Sequence, residues 1–411
     1  MKSKKIIWLF LVLLPWIDLI TSIATWEKSF SIGLILKGLF LIYTIFYIWK
    51  NSSIKRKKVL ALLAIFLAIQ LGIFYGTNSS GIFTEIISMT KIFYFPILVL
   101  FFSVYQNELV NKKLIVYLAT TFLFLYLLPY PFNLGHNLSE IYPNKYLYLS
   151  YFYVGNELAN IFILLLPVAF EYFIDKKSKL LIPFGILTIF MLLLLGTKTM
   201  YLSVLILVGY FIWHYRLDWK ERFQCYRIYF ISGFIGLVIL IGIFIPRSDF
   251  YQNIKTTLEF YQVDSLKDVF NLETIDNIVY SNRLEFLKDV HQVYQDSSWD
   301  KWIFGIGKRT INTIKDIEID MFDIFYAIGI YGTILYIGLF VFAVKTANLK
   351  GIYQFIFYLM LTISCFTGHI LLSPMTSTYL AILVGVNKNE RGNYEKLHQK
   401  SVKKIKNSTD A

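Results

Sequence analysis

The chain has 411 residues, 56% of them hydrophobic and 16% charged, with a mean hydropathy of +0.57. Soluble domains are roughly half apolar with those residues scattered or periodic, whereas here they gather in runs of about 17–25, the length that spans a bilayer. That excludes an ordinary soluble domain, and the net charge of +13 must be read from where the bases fall before it suggests nucleic acid.

The chain opens on "MKSKKIIWLFLVLLPWIDLI", a basic start and an apolar core. No small-residue cleavage site follows and more apolar runs do, so this reads as a retained first helix. Hydropathy predicts about twelve spans, near residues 6–25, 31–49, 59–77, 86–105, 114–132, 158–174, 180–196, 199–215, 228–246, 322–344, 352–371 and 374–387. The last is short enough to be tilted, broken or re-entrant. The expected fold is all-α and polytopic: nine spans in residues 1–246, a large extracytoplasmic loop over 247–321, three spans in 322–387, and a basic tail over 388–411.

With the N-terminus inside, the even-numbered loops, the tail and the first five residues hold 26 of the 40 Lys and Arg. The short outer loops hold only Lys28, Lys145 and Lys198. Basic residues concentrate on the cytoplasmic side of membrane proteins, so the positive charge encodes orientation, and no nucleic-acid partner is expected. Cys225 falls in an inner loop and Cys365 in a span, so no disulfide is predicted.

The long loop reads as short helices. "SLKDVFNLETIDNIV" and "SNRLEFLKDVHQVYQ" repeat apolar residues at three- and four-residue spacing, and Asp264–Ser265 or Ser281–Asn282 can cap them. "FGIGKRT" reads as a tight turn. A second outer loop, Asn133 to Glu157, is rich in Tyr, Asn and Pro.

Polar groups at membrane depth are costly and therefore informative. Lys37 and Glu171 either snorkel or pair with a neighbouring helix. Asp18 either pairs with a base or caps a kink after Pro15. His369 either donates to a backbone carbonyl or serves a site. Lys91 and Lys198 are candidate cations. Lys198 lies in "LLLLGTKTMYLSV", where a glycine and two hydroxyls break an apolar stretch, and free amides at a helix start suit an anion. Arg283 opens a predicted loop helix and can hold a phosphate with two parallel hydrogen bonds. Glu318, Asp320 and Asp323 stand just before and within the start of the span near 322; Asp320 is expected to cap that helix. No metal-ligand spacing, phosphate-binding glycine loop, nucleophile elbow or ATP motif is present, so no metal and no cofactor are expected.

Several pieces in order resemble the O-antigen polymerase and O-antigen ligase superfamily. "YVGNELANIFILLLPV" is similar to its Asn-Glu-Leu segment. "LLLLGTKTMYLSVLILV" is similar to its Gly-Ser-Arg turn, with Lys198 in the arginine's place. "SNRLEFL", "WIFGIG" and "EIDMFDIFYAIGIYGTILY" follow the order of its large loop, and "TGHILLSPMTSTYLAIL" is similar to the ending of Gram-positive members. The resemblance implies a metal-independent glycosyltransferase of the GT-C type in a bacterial plasma membrane. It would act on the outer face on an undecaprenyl-diphosphate-linked oligosaccharide, with membrane lipid, a flippase and a chain-length regulator as further partners. Ligase members carry a His just before the span after the large loop; Glu318, Asp320 and Asp323 stand there in this chain.

The expected roles follow. Asp320 is the general base, with Glu318 or Asp323 orienting it, and Arg283 belongs to the same catalytic set. Lys198, Arg283 and Lys91 bind the diphosphate, while Asn156, Glu157 and His369 contact substrate. The missing His favours polymerisation of repeat units for a surface polysaccharide. Ligation to another acceptor, and transport of lipid-linked oligosaccharide, are the alternatives.

Overall fold

The computed structural model describes residues 2–29, 32–77, 82–140, 147–215, 255, 283–314, 317–368 and 370–390. The helices in chain order are α1 (Lys2–Trp26), α2 (Ile32–Asn51), α3 (Ile54–Thr77), α4 (Ile82–Val104), α5 (Lys112–Leu127), α6 (Gly155–Asp175), α7 (Leu181–Leu195) and α8 (Lys198–Tyr215). After a gap come α9 (Arg283–Gln295), α10 (Trp299–Phe304), α11 (Lys308–Ile314), α12 (Asp320–Ala347), α13 (Gly351–Ser364) and α14 (residues 374–390). Each expected span among the described residues contains a helix, though the one expected over 352–371 stops at Ser364. The one near 228–246, the segment "SLKDVFNLETIDNIV" and most of the tail lie outside the described residues, as do Ser281 and Asn282. The last expected span is one unbroken helix, α14.

Seven helices among the described residues are long and apolar enough to cross a membrane: α1 to α6 and α12. The protein is an all-α polytopic membrane protein. Its polarity is arranged accordingly. In α2 the exposed face carries Leu34, Ile35, Leu39, Ile42, Phe46 and Trp49. The buried face carries Lys37 and Thr44 among Gly33, Phe40, Leu41 and Ile48. A water-soluble helix would show the reverse pattern; lipid leaves the backbone and polar side chains to find partners inside the protein.

The chain divides into two compact units. The first takes Met1–Asp18, Ser31–Tyr117 and Val279–Ala411, the second Leu19–Phe30 and Leu118–Ile278. In the first, α4 is nearly enclosed; Phe93 to Phe102 are buried in succession. Phe101 stacks on Tyr105 and meets Phe40, Tyr43, Tyr47 and Phe102 edge-on. A buried ion pair ties α1 to α2: Lys37 Nζ lies 2.5 Å from Asp18 Oδ1. Tyr379 of α14 donates its hydroxyl to Asp18 Oδ2 at 2.7 Å. Asp18 and Lys37 thus resolve their expected ambiguity by pairing with each other. In the second unit, α6 packs with α7 and α8, and Phe184 sits against Phe170 and Phe173. The loop before α6 is held by a small antiparallel ladder, β1 (His136–Asn137) on β2 (Tyr148–Ser150), with an irregularity between His136 and Asn137. Tyr126 donates to the Tyr148 carbonyl at 2.8 Å.

The helix after the loop is broken. Gly329 has φ 68° and ψ −172° inside α12, backbone that essentially only glycine adopts. The turn between α10 and α11 fills the break. A Cβ on Gly305 would lie 2.2 Å from the Ala327 carbonyl oxygen, and one on Gly329 would lie 2.4 Å from the Gly305 nitrogen. The two backbones touch because neither carries a side chain. Ile306 donates its N–H to the Tyr326 carbonyl at 2.9 Å. Gln70 of α3 donates to the carbonyls of Phe304 at 2.9 Å and Ala327 at 3.3 Å. We expect Gly305→Ala to be among the most damaging single-methyl changes in the chain. It should lower the thermal unfolding midpoint by several degrees in detergent, whereas Gly338→Ala, whose Cβ meets nothing within 4 Å, should leave it unchanged.

Candidate functional site

The acidic stretch before α12 forms a defined polar constellation in the first unit. Arg283 is the first residue of α9 and is 6% exposed. Its Nη2 and Nε donate to Glu318 Oε2 at 2.8 and 3.3 Å. Among the described residues Oε2 alone takes the hydrogen bonds to Glu318, and the Glu318 side chain is 41% exposed. Its backbone lies in the left-handed region, φ 57°, a placement that costs a non-glycine residue roughly 1 kcal/mol or more. Buried Ile317 and Ile319 pin the segment on both sides. A Cβ on Gly368 would lie 2.7 Å from the Glu318 carbonyl carbon and oxygen, so the backbone at Gly368 presses directly on that peptide. The surroundings therefore hold Glu318 in a strained pose with its side chain partly exposed.

Asp320 behaves differently. The helix begins at Asp320 itself, and Ile319 is its N-cap residue with no side-chain cap bond. The expected capping of α12 by Asp320 is not what forms. Its fully buried carboxylate accepts instead from the N–H groups of Ile370 at 2.9 Å and Leu371 at 2.7 Å. Those amides lead into α14, so burial of the charge is matched by long-range backbone donors.

Asp323 is buried one turn on and lies 2.5 Å from Lys308 Nζ. Lys308 is set by Glu85 of α4, whose carboxylate accepts from the N–H groups of Arg309 at 2.7 Å and Lys308 at 3.3 Å. Reasoning from sequence missed Lys308, Glu85 and Gln70. The signal was present for the last two: each is a polar residue in an otherwise apolar helix. Lys308 carried none, since one more base in a loop of mixed charge stands out from nothing.

On the α9 side, His291 Nδ1 lies 2.9 Å from the Tyr326 hydroxyl. Tyr294 and Trp302 exchange hydrogen bonds: the phenol donates to the Trp302 carbonyl at 2.8 Å, and the indole donates to the Tyr294 carbonyl at 2.7 Å. Burial pushes the Tyr294 phenol above its ordinary pKa, so it stays a donor. Lys91 sits on α4 with its side chain exposed. His369 lies outside the described residues.

The other expected residues belong to the second unit. Asn156 and Glu157 are half-buried in the first turn of α6. Lys198 is the exposed first residue of α8. Before it, Gly196 closes α7 in the left-handed conformation at φ 46°. Thr197 is 7% exposed, and its hydroxyl has no hydrogen-bond partner among the described residues. Among the described residues no three His, Cys, Asp or Glu side chains are grouped to hold a metal ion.

In the first unit, then, a buried guanidinium opens a loop helix and pairs with a partly exposed carboxylate that precedes a membrane helix. No curated relative and no solved structure matches the chain. A family model described as "O-antigen ligase like membrane protein" matches residues 1–269 and 265–387. The chain belongs to the family of O-antigen ligase like membrane proteins.

Proposed function

We propose that the protein polymerises undecaprenyl-diphosphate-linked oligosaccharide repeat units for a cell-surface polysaccharide at the outer face of the bacterial plasma membrane. Family membership supports glycan ligation or polymerisation at a membrane in general. The single observation that carries the catalytic reading is the Arg283–Glu318 pair: a buried base holding a strained, partly exposed acid. In this reading an acceptor hydroxyl attacks the anomeric carbon of the donor and the configuration inverts. The carbon–oxygen bond to the diphosphate breaks, and the diphosphate leaves with the electron pair. Glu318 takes the hydroxyl proton, because it is the acid of the three whose side chain is partly exposed. Asp320, fully buried and bonded to two amides, positions the turn that presses on Glu318. Asp323 positions Lys308. Arg283 orients Glu318, and its remaining N–H groups stabilise charge growing on the diphosphate. The reaction asks for no metal and no cofactor: the chemistry is of the GT-C type. Tyr side chains near the loop supply faces for sugar rings, with His369 as a further contact.

The start of α8 is proposed as an anion site in its own right. Lys198 supplies the charge, the first amides of the helix point outward, and the buried Thr197 hydroxyl lacks a partner among the described residues. Asn156 and Glu157 are proposed as glycan contacts in that same unit, and Lys91 as a further cation in the first. Lys198→Ala should raise the apparent KM for a diphosphate-linked donor about tenfold, consistent with losing one charge-assisted contact of roughly 1.5 kcal/mol. Lys198→Arg should restore it.

Deletion of the coding sequence separates the readings. A polymerase leaves single lipid-linked repeat units, restored to polymer by the wild-type chain. A ligase leaves long polymer still on its lipid, and a transporter leaves repeat units confined to the inner leaflet.

A further inference from the structure

We infer that α10 is an interfacial anchor: Trp299, Trp302 and Ile303 lie in the headgroup–acyl boundary of the bilayer and fix the height of the Arg283–Glu318 pair above it. Trp299 is 72% exposed, Trp302 44% and Ile303 36%. At spacings of three and four residues they share one face of the helix. Their exposure would be costly in water, and one apolar surface already continues from it. α10 packs against α12, and Phe304 meets the ring of Tyr331, which is itself half exposed. From there Ile330, Ile334, Ile337 and Val341 run down α12 as an exposed apolar stripe. That stripe needs lipid.

The depth of α10 follows from where α12 is broken. Residues 330–347 after the break carry one charged residue, Lys345, near their end. At ~1.5 Å per residue they extend about 27 Å, close to the ~30 Å hydrocarbon thickness. The break at Gly329 therefore marks the edge of the hydrocarbon, and α10 is held at that break by the Gly305–Gly329 contact. Residues 320–328, with Asp320 and Asp323, stand on the polar side. Tryptophan is the residue that favours this boundary, with an apolar ring and a polar N–H. The Trp302 N–H is satisfied within the protein by the Tyr294 carbonyl, so the ring can turn to lipid without stranding a donor. Through Tyr294 the same pair of hydrogen bonds ties α10 to α9, whose first residue is Arg283. A site that draws on a lipid-linked substrate needs such a fixed height, but the anchor itself rests only on these contacts and not on the proposed reaction.

The test is depth measurement on the full chain in liposomes of phosphatidylethanolamine and phosphatidylglycerol. Nitroxide labels are placed at Trp299→Cys and, separately, Ile303→Cys, in a Cys225→Ser/Cys365→Ser background. Gln292→Cys on the exposed side of α9 serves as the water-facing reference. The expected result is that labels at 299 and 303 collide with oxygen more, and with a water-soluble nickel chelate several-fold less, than the label at 292. Chelate accessibility at both positions equal to that at 292 places α10 in water and overturns the inference. Exclusion of both reagents at both positions shows protein contact in place of lipid, and overturns it too.

Discussion

Glu318→Gln should reduce glycan transfer by about 10²-fold or more, the usual loss when a positioned base is removed, while the protein still reaches the membrane in normal amount. The amide keeps the size and still accepts from Arg283 through its oxygen, so the fold is little disturbed. It cannot take a proton. Arg283→Ala should be as severe for a different reason: it removes charge stabilisation worth about 10²–10³ in rate and releases Glu318 from its orientation. Arg283→Lys should not rescue, because one ammonium cannot reproduce the Nε and Nη2 pair of bonds to a single oxygen. Asp320→Asn should act by another route. Its carboxylate holds two buried amides, so the variant should lose thermal stability along with activity. Rate loss at unchanged stability for Glu318→Gln, against joint loss for Asp320→Asn, separates the base from its support. Normal polymer yield from Glu318→Gln would remove Glu318 from the mechanism.

The second large effect lies far from any chemistry. Lys37→Met should destabilise the protein by about 3–5 kcal/mol, because it leaves Asp18 charged and buried with no cation to pair with, held by the hydrogen bond from Tyr379. The double variant Asp18→Asn/Lys37→Met should recover most of that loss. It removes both charges, and the new amide oxygen at position 18 still accepts from Tyr379. Unfolding in a mild detergent, followed by the protein fraction that stays monodisperse after heating, measures both. A double variant no better than the single one would mean that the pair's attraction stabilises the first unit, beyond neutralising each charge for the other.

Much of this architecture was legible in the sequence because lipid enforces a simple rule. Backbone groups must be satisfied within a segment, so long apolar runs are helices, and α1 to α8 and α12 to α14 lie where hydropathy placed spans. The turn at Gly305 and Gly307 was legible as well, from two glycines flanking one residue. The break in α12 was not. Gly329 sits in an apolar helix beside ordinary helix formers, and only the approach of Gly305 explains it. The acids at the start of α12 were legible as a cluster but not as individuals. Three carboxylates within a few residues have the same composition whether they face out, cap a helix or bind distant amides. What separates them is the left-handed backbone of Glu318 and the amides of residues 370–371, and tertiary packing creates both. Asp18 and Lys37 were each visible as costly groups at membrane depth, yet nothing in one sequence says that they pair with each other.

The most direct test of the central claim uses purified wild-type protein in liposomes with a lipid-linked repeat unit as the only substrate, without nucleotide, ion gradient or other protein. Products are resolved by length, with the Glu318→Gln variant in parallel. The wild type should give a ladder of multiples of the repeat unit, with release of undecaprenyl diphosphate in step, and Glu318→Gln single units only. Single units from both proteins, with the substrate moved across the bilayer, would contradict it.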